Sequence, residues 1–401
     1  MSAWLTIIGV GDDGLESLAP APRTLVEGAD IVVASQRILE QASLGTQETH
    51  PWTSPLEDMF EKIEGWKGRN VVVLATGDPM QYGIGATLAR HVPSDEITVI
   101  PAPSAFSLAA ARLKWPLQGV ETLSLHGRPV ALLQPFIQPD AKLLALTGGS
   151  ETVHEVAEML RARGFGASIL TVFEHMGGAE ERVVTLAAEA CAGKNFNDFN
   201  TLGIECIAGP EAQILPRVPG LPDAAFAHDG QLTKREVRAV TLSALGPTPG
   251  ALLWDVGAGC GSVAIEWIRS APGARAIAFE RHEARLKMIT ENAAALGAPG
   301  LEIIAGDVGE TLRRHDEPAA IFLGGAVVDE QIFETCWSAL KSGGTLVANA
   351  VTLEGEAALI ARHEAHGGEL VRIDVSHVTN VGSRRALRPR MAVTQWRVVK
   401  Q

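Results

Sequence analysis

The chain has 401 residues, more than one hydrophobic core usually organises, so two or three domains are expected. Hydrophobic residues make up 46% and charged residues 20%, with 41 Gly and 22 Pro, which is typical of a globular α/β protein and excludes a mainly disordered, fibrous or coiled-coil chain. The formal net charge of −13 disfavours a nucleic acid as main partner, because nucleic-acid binders neutralise phosphates with basic surfaces.

The first half alternates short β-branched runs with segments of helical period. Strands are predicted at 5–10, 31–35, 71–77 and 97–103, and helices at 22–28, 54–65, 84–91 and 105–114. After a turn-rich piece at 116–129, the pattern predicts strands at 142–149, 167–174, 181–186 and 201–208, and a helix at 151–163. This half is therefore expected to be an α/β domain of two lobes, the second richer in antiparallel sheet.

Three turn-rich loops follow predicted strands of the first half. They are Gly9-Val10-Gly11-Asp12-Asp13-Gly14, Thr76-Gly77-Asp78-Pro79-Met80-Gln81-Tyr82-Gly83 and Pro101-Ala102-Pro103-Ser104-Ala105-Phe106. None matches a dinucleotide fingerprint or a phosphate-binding P-loop. They lie at the carboxyl ends of strands, the edge where open α/β sheets bind ligands, although each alone could be a simple turn.

A change of composition marks a domain boundary near residue 213. The stretch Leu215–Asp229 reads LPRVPGLPDAAFAHD, is rich in proline and has little periodicity, so we predict domains at 1–212 and 231–401 joined by a linker at 213–230. Up to Pro216 the chain has 14 Lys and Arg against 26 Asp and Glu, and beyond it 20 against 21. The acidic excess thus belongs to the first domain.

The second half has a more regular alternation. Strands are predicted at 251–259, 274–280, 301–307, 318–326, 343–351, 369–375 and 391–399, and helices at 236–245, 262–270, 283–296, 329–340 and 354–366. Repeated strand-helix order predicts a mostly parallel sheet with helices on both faces.

The first strand of this half ends in a glycine turn. Gly257-Ala258-Gly259-Cys260-Gly261 leads directly into a helix, so the backbone can approach a ligand closely at the helix N-terminus. A dinucleotide fingerprint requires GxGxxG, whereas Ser262 stands at the third glycine position and the spacing is GxGxG. This pattern favours S-adenosylmethionine over NAD.

Two further strand ends support this interpretation. Glu280 ends the second strand, where a carboxylate can accept hydrogen bonds from both ribose hydroxyls, and Asp307 with Val308 ends the third, where the adenine would lie. Each alone could be a solvated acidic cap. The fourth strand end reads IFLGGA and lacks the NPPY or DPPY element of amino-directed nucleic-acid methyltransferases.

The segment before the first helix of this half is a candidate lid. Thr233 and Glu236 have the spacing of a capping box, and this segment follows His228-Asp229-Gly230. The pattern predicts either a helix cap alone or a cap on a loop that folds over the cofactor.

A basic cluster lies near the C-terminus. Ser383–Arg390 contains four arginines and no acidic residue: Arg384, Arg385, Arg388 and Arg390. Such a run is either a solvated face or a set of guanidinium groups that bind carboxylates of a polyanionic substrate.

The three loops of the first half together resemble the signatures of the tetrapyrrole methylases, over most of residues 1–210, and Ser124–Arg128 is similar to the branch acting at C5 of the precorrin ring. The second half is similar to the family that methylates C15 and removes the C12 acetate carboxyl. The resemblance implies a two-lobed first domain and a Rossmann-like methyltransferase second domain, which together convert precorrin-6B to precorrin-8 in cobalamin biosynthesis.

The resemblance also implies two S-adenosylmethionine sites per chain. The residues implied in the first domain are Gly77, Asp78, Pro79, Ser104, Ala105 and Thr147, and those in the second are Thr233, Gly257 to Gly261, Glu280 and Val308 through its backbone. Asp12 and Asp13 stand where family members often have Pro-Gly, so any cofactor contact from that loop is in doubt.

His126 and His228 are candidates for proton handling, because imidazole titrates near neutral pH, although a histidine at a strand end is more often a structural hydrogen bonder. One rival hypothesis is a nucleic-acid or protein methyltransferase with a regulatory first domain. Another is that one domain is a non-catalytic module that binds the tetrapyrrole. Similarity to the C15 family suggests a homo-oligomer, with a tetramer formed through the second domain.

The cysteines and the N-terminus bear on the compartment. Cys191, Cys206, Cys260 and Cys336 form no CxxC pair, so no disulfide framework or metal site follows from their spacing, and a reducing compartment fits. No basic signal region and no run of about 18 apolar residues is present, which predicts a cytoplasmic protein without a membrane partner.

Overall fold

The computed structural model of the protein describes residues 3–306 and 315–401. The chain divides into two compact units. The first comprises Met1–Val130 with Pro139–Gln213, and the second comprises Ala131–Gln138 with Ile214–Gln401. Eight residues from the middle of the first sequence half thus belong to the second unit.

The first lobe of the first unit is a parallel sheet of order β3-β2-β4-β1-β5. Its strands are β1 (Leu5–Val10), β2 (Ile31–Ala34), β3 (Glu48–Pro51), β4 (Val71–Thr76) and β5 (Ile97–Ile100). Its helices are α1 (Pro20–Glu27), α2 (Gln36–Gln41), α3 (Glu57–Gly65), α4 (Ile84–Leu88) and α5 (Ala105–Leu113). Strands β1, β2 and β4 are buried on both faces, which explains why they are continuous apolar runs rather than alternating ones.

The second lobe of the first unit is a mixed sheet of order β6-β7-β10-β8-β9. Its elements are β6 (Glu121–Ser124), β7 (Lys142–Leu146), α6 (Ser150–Ala162), β8 (Ile169–Glu174), β9 (Arg182–Ala187) and β10 (Asn200–Glu205). Only β6 and β7 are parallel, and the other neighbours are antiparallel. The predicted enrichment of antiparallel sheet in this lobe is confirmed.

The second unit contains a seven-stranded sheet of order β13-β12-β11-β14-β15-β19-β16. Its strands are β11 (Leu252–Val256), β12 (Arg275–Glu280), β13 (Glu302–Ala305), β14 (Ala320–Leu323), β15 (Thr345–Ala350), β16 (Glu369–Ile373) and β19 (Val393–Val399). Its helices are α7 (Arg235–Leu245), α8 (Ser262–Ser270), α9 (Glu283–Leu296), α10 (Glu330–Ala339) and α11 (Leu353–His366). Strand β19 alone runs antiparallel to its neighbours, so the predicted Rossmann-like sheet is confirmed.

Both faces of this sheet are covered. Leu253 of β11 packs into one apolar cluster with residues of α7, α8 and α9, whereas Leu252 and Trp254 pack into another on the opposite face. This alternation follows from the two-residue period of a strand. The carboxyl ends of β11, β12 and β13 therefore form one supported edge.

A two-stranded hairpin between β16 and β19 was not predicted. Strands β17 (Ser376–Val381) and β18 (Arg384–Pro389) pair in antiparallel register across Gly382 and Ser383. A two-residue Gly-Ser turn is a recognised hairpin signal that the sequence interpretation overlooked.

The predicted linker is packed rather than extended. Residues 214–230 belong to the second unit, and Leu221 and Phe226 are buried in its core. The carboxylate of Glu266 accepts hydrogen bonds from the backbone N–H of Gly220 at 2.6 Å and of Leu221 at 2.9 Å. It also pairs with the buried guanidinium of Arg238 at 2.7 Å, so these contacts hold the proline-rich segment against α7 and α8.

No helix within residues 3–306 and 315–401 is long and apolar enough to cross a membrane.

Candidate functional site

The three loops of the first unit meet at one sheet edge. Strands β4, β1 and β5 are parallel neighbours, so the loops that follow them leave from the same side. A Cβ atom on Gly9 would lie 2.4 Å from the carbonyl oxygen of Gly77 and 2.6 Å from the backbone nitrogen of Ala102. Only glycine allows this approach, and the close contact shows that the three backbones form a single surface.

Four predicted donor-site residues are adjacent on this surface. Gly77 donates a backbone hydrogen bond to the carbonyl of Val10 at 2.8 Å, and a Cβ on Gly77 would lie 3.7 Å from Ser104 Cα and from Ala105 N. Asp78 Oδ1 accepts a hydrogen bond from the backbone N–H of Met80 at 2.8 Å, which closes the turn. Ser104 begins α5, and its hydroxyl accepts from the backbone N–H of Ser107 at 3.2 Å.

Pro79 fixes the far side of the same turn. It is buried, and a Cβ on Gly83 would lie 2.6 Å from its carbonyl oxygen. Tyr82 between them adopts a left-handed backbone conformation with φ 58°, which is uncommon for a residue with a side chain. The turn is therefore held in one tightly packed shape.

The second lobe contributes Thr147 and His126, which follow the parallel strands β7 and β6. The Thr147 hydroxyl donates to Asn200 Oδ1 at 2.8 Å. His126 Nδ1 lies 3.2 Å from the Thr147 carbonyl oxygen, which can only accept, so Nδ1 carries a proton, and in the neutral ring Nε2 is the acceptor. The loops after both strands line a cavity of about 530 Å³.

Asp12, which stands where family members often have proline, hydrogen-bonds to two side chains. Asp12 is buried, and its carboxylate accepts hydrogen bonds from Arg37 and from His175, with His175 Nδ1 at 3.2 Å. Arg37 belongs to the first lobe and His175 to the second. Asp12 therefore forms an ion pair within the first lobe and a hydrogen bond to the second lobe, contacts that its sequence neighbours do not reveal.

In the second unit the glycine turn leads directly into a helix. Gly261 has φ 79° and begins α8 without a side-chain cap. Gly257 and Gly259 also have positive φ, at 75° and 61°. The N–H of Ala264 in this first turn donates to Asp255 Oδ2, so an anion at this end would bind the N–H groups that precede it.

Two buried carboxylates support this turn. Glu280 Oε2 accepts from the backbone N–H of Gly259 at 2.9 Å, and its Oε1 accepts from Arg281 and His282, each at 3.0 Å. A carboxylate has about four acceptor positions, so Glu280 keeps the capacity to accept a ribose hydroxyl. Asp255 Oδ2 accepts from the backbone N–H of Ala264 at 3.0 Å, while its Oδ1 is buried and has no hydrogen-bond partner among the described residues.

Burial dominates the ionisation of Asp255. Burial is the largest cause and, with the nearby charge of Glu280, raises the pKa of Asp255 to about 7 against the lowering effect of the Ala264 hydrogen bond. An orphaned carboxylate oxygen beneath a glycine turn fits a cationic ligand such as a sulfonium or an ammonium group.

The predicted capping box is wrong. Helix α7 begins at Arg235 after Lys234, with no side-chain cap, and its first N–H donates instead to Asp223 Oδ1 at 2.9 Å. The carboxylate of Asp223 takes the position that Thr233 was expected to fill.

The segment before α7 nevertheless lies against the glycine turn. A Cβ on Gly259 would lie 3.2 Å from the carbonyl oxygen of Gln231. Asp229 pairs with Arg285 of α9 at 2.9 Å, and the exposed His228 accepts on Nδ1 from the backbone N–H of Gly230 at 3.0 Å. His228 is thus part of a local turn, and Thr233 is half-buried close to it.

Three of the four arginines lie on the unpredicted hairpin, and Arg390 directly follows its second strand. Arg384 and Arg388 face one side of it and Arg385 the other, because cross-strand pairs alternate between faces. All four are exposed, and within residues 3–306 and 315–401 the structure gives none of their guanidinium groups an acidic partner. His377 Nε2 on β17 lies 3.7 Å from Glu236 Oε2 in the first turn of α7, which places the hairpin next to the lid segment.

Asp307 and Val308 lie outside the described residues. Among the residues that are described, no group of three or more His, Cys, Asp or Glu side chains is arranged to hold a metal ion.

Two protein families match successive parts of the chain. The family described as Tetrapyrrole (Corrin/Porphyrin) Methylases matches residues 4–191, and the family described as Precorrin methyltransferase domain matches residues 224–400. A Sinorhizobium protein named precorrin-6Y C(5,15)-methyltransferase [decarboxylating] is 46% identical over 397 residues, 99% of this chain and 96% of that protein. A Mycobacterium tuberculosis protein of the same name is 38% identical over 404 residues, 99% of this chain and 100% of that one.

Among solved structures, the C-terminal domain of precorrin-6Y C5,15-methyltransferase from Rhodobacter capsulatus is similar to part of the chain. It is 40% identical, covers 46% of this chain and 100% of its own, and has a TM-score of 0.44.

Proposed function

Because the chain belongs to the family of precorrin-6Y C(5,15)-methyltransferases (decarboxylating), we propose that it methylates precorrin-6B at C5 and C15 and removes the carboxyl group of the C12 acetate, to give precorrin-8. The observation that carries this proposal is the pair of glycine-lined strand edges, one in each unit. A single chain with two such edges is suited to two methyl transfers. This reaction is a step of cobalamin biosynthesis.

The residues of the first edge fit S-adenosylmethionine. Gly77, Ser104 and Ala105 present backbone in one continuous surface, and the Cβ that Gly9 lacks would fill the space between the loops. We assign donor binding in this unit to Gly77, Asp78, Pro79, Ser104, Ala105 and Thr147.

The residues of the second edge fit the same molecule in a different way. The N–H groups that precede Ala264 at the start of α8 can receive its carboxylate, the Glu280 carboxylate can accept one of its ribose hydroxyls, and the buried Asp255 lies below the turn. We assign donor binding here to Thr233, Gly257, Ala258, Gly259, Cys260, Gly261 and Glu280, together with Asp307 and Val308 outside the described residues.

When bound, S-adenosylmethionine supplies an electrophilic methyl group with a thioether as leaving group. The protein residues then mainly orient the two reactants and exclude water, because alignment of reacting atoms provides much of the acceleration in such a displacement. The reduced tetrapyrrole is itself enamine-like and offers the nucleophilic carbons, so no protein nucleophile is required.

Decarboxylation needs an electron sink, and a protonated or methylated ring with iminium character provides one. The protein must bind the other acetate and propionate groups while it leaves the C12 acetate poorly solvated. Arg384, Arg385, Arg388 and Arg390 are our candidates for carboxylate anchors, since a guanidinium group binds a carboxylate through two parallel hydrogen bonds.

The two histidines are proposed to handle protons. His126, with Nδ1 bonded to the Thr147 carbonyl, presents Nε2 as a base near the first site. His228, with Nδ1 occupied by Gly230, presents a protonated Nε2 near the second site. We assign C5 methylation to the first domain (1–212), and C15 methylation with decarboxylation to the second (231–401), because the matched family descriptions divide in that order.

The proposal also covers the assembly state and the cellular compartment. Exposed apolar residues on the hairpin, Val378, Val381 and Leu387, support a homo-oligomer, with a tetramer formed through the second domain as the expected state. Within residues 3–306 and 315–401, Cys191, Cys260 and Cys336 are buried and form no disulfide bond, which supports action in the reducing cytoplasm.

The test combines product mass with binding stoichiometry. Incubation with precorrin-6B and isotopically labelled S-adenosylmethionine should give a product with two added methyl groups and one lost carbon dioxide. Calorimetric titration of the free enzyme should show two donor equivalents per chain. A single equivalent would instead support the alternative that one domain is a non-catalytic tetrapyrrole-binding module.

A further inference from the structure

We propose that Asn292 is a positioning residue for the second donor site, because it holds the lid segment and the glycine turn at a fixed separation. The proposal rests on the second donor site described above. Asn292 lies in the last turns of α9 and is 3% exposed.

The side chain of Asn292 makes three hydrogen bonds to backbone atoms of two segments. Its Oδ1 accepts from the N–H of Ala227 at 2.8 Å, and its Nδ2 donates to the carbonyl of Ala227 at 2.9 Å. The same Nδ2 donates to the carbonyl of Cys260 at 3.0 Å. Ala227 directly precedes His228-Asp229-Gly230, which lead into the lid segment, and Cys260 belongs to the glycine turn, so one amide group bridges the two.

An amide is the chemical group that this position requires. It must accept one hydrogen bond and donate two, and the side chain of asparagine has this inventory at the correct length. An aspartate of the same shape would place an acceptor oxygen against the carbonyl oxygens of Ala227 and Cys260, and a leucine would leave the buried carbonyl of Cys260 and both backbone groups of Ala227 without this partner.

Helix α9 attaches the lid segment at a second point. Arg285, two turns before Asn292, binds Asp229 at 2.9 Å, and the segment then continues to Gln231, whose carbonyl faces Gly259. The segment is therefore anchored to α9 at both Ala227 and Asp229 while it passes over the turn. This arrangement fixes the space in which a donor molecule would lie, although Asn292 itself touches no reacting atom.

The test is calorimetric titration of the full chain with S-adenosylhomocysteine, the non-reactive product of the donor. Asn292→Asp should weaken binding at the second site about tenfold or more while the first-site affinity is unchanged. In steady-state assays of Asn292→Asp, the KM for the donor in C15 methylation should rise, whereas kcat at saturating donor should equal that of the wild type. A loss of stability alone would not raise KM while leaving kcat unchanged.

Asn349→Asp is the matched control. Asn349 is also buried in the second unit, where its Nδ2 donates to Thr241 Oγ1 at 2.9 Å and it does not contact the glycine turn. This variant buries a comparable carboxylate, so it should lower the Tm but keep both affinities. Equal weakening in both variants would overturn the proposal, because the effect would then be general destabilisation.

Arg285→Ala provides a variant that does not disturb the core, since Arg285 is partly exposed. Loss of the second anchor should weaken second-site binding by about threefold. Unchanged binding at the second site in Asn292→Asp, or in Arg285→Ala if the first variant fails to fold, would overturn the inference. A wild-type protein with fewer than two binding equivalents would instead contradict the proposed function.

Discussion

Glu280 illustrates how a single carboxylate can serve both the fold and the ligand. It accepts three backbone hydrogen bonds, one from the glycine turn and two from the start of the next segment. Glu280→Gln removes the negative charge and one acceptor while it keeps the shape. We expect donor binding at the second site to weaken by roughly tenfold or more, since hydrogen bonds to charged groups contribute about 1.5–3 kcal/mol.

Calorimetry with S-adenosylhomocysteine would check this expectation. Glu302→Gln is a suitable control because Glu302 is exposed at the start of β13, away from the carboxyl edge. Equal affinity of wild type and Glu280→Gln at the second site would contradict the assigned role.

Asp255 makes the stability of the second unit depend on pH. Its pKa is raised from 3.8 to about 7 in the folded protein, so the native state binds more protons than the unfolded state between these values. The free energy of unfolding should therefore fall as pH rises from about 4 to 7, by at most about 4 kcal/mol, with no further change from this group above 7.

Asp255→Asn should remove this dependence. Relative to wild type, the variant should gain stability between about pH 4 and pH 8, as measured by denaturant titrations at several pH values. Asp316→Asn, at an exposed position, should leave the pH dependence as it is. Parallel curves for wild type and Asp255→Asn would show that Asp255 is already ionised in the native protein at low pH.

At the scale of elements, the arginine hairpin gives the sharpest prediction. Combined replacement of Arg384, Arg385, Arg388 and Arg390 by alanine should raise the KM for precorrin-6B by about tenfold or more, because charge-assisted hydrogen bonds to substrate carboxylates are lost. Donor binding should stay the same. The measurements are steady-state kinetics and calorimetry of the same preparation.

Arg275→Ala is the control for loss of surface charge, since Arg275 begins β12 at the opposite edge of the sheet and is exposed. Replacement of the four arginines by lysine should restore only part of the affinity, because an ammonium group cannot bind a carboxylate in the bidentate manner. An unchanged substrate KM in the alanine variant would assign the hairpin to another role, such as assembly.

The elements that the sequence predicted best are those with glycine boundaries and a buried face. Helices α8 and α9 were predicted to their observed residues, 262–270 and 283–296. Gly261 starts the first and Gly297 follows the second, and both have positive φ. The glycine turn between β11 and α8 was predictable for the same reason, because its spacing is local.

Elements without a buried face escaped prediction. Helix α2 has six residues and buries only Ile38, and β17 and β18 alternate between two solvent-exposed faces. Contacts between distant residues were also missed. Asn292 and Ala227 are 65 residues apart, and Asp12 and His175 are 163 apart, so no local pattern marks either pair.

At the scale of the whole molecule, two compact units with separate cores are expected to unfold in separable steps. Glu266→Gln should lower the stability of the second unit by about 3–5 kcal/mol, because it leaves Arg238 charged and buried without its main partner. Scanning calorimetry should show an earlier transition for this unit and an unchanged one for the first.

The matched control is Arg275→Ala, which removes an exposed ion pair with Asp316 and should change stability by about 1 kcal/mol or less. A shift of both transitions by Glu266→Gln would mean that the units unfold together. The double variant Arg238→Met with Glu266→Leu should lose less stability than Glu266→Gln, since it removes both charges of the buried Arg238–Glu266 pair.

The assignment of Ala131–Gln138 to the second unit has a consequence for dividing this enzyme into two polypeptides. A gene split at residue 213 would encode a second protein without that octapeptide, although Pro135 fits against Gly297 so closely that a Cβ there would lie 2.4 Å from its Cδ. The split protein would expose to solvent the surface around Gly297 that Pro135 covers. A bifunctional chain of this kind is therefore more than two monofunctional proteins joined end to end, and any engineered fission should carry a copy of the octapeptide with the later half.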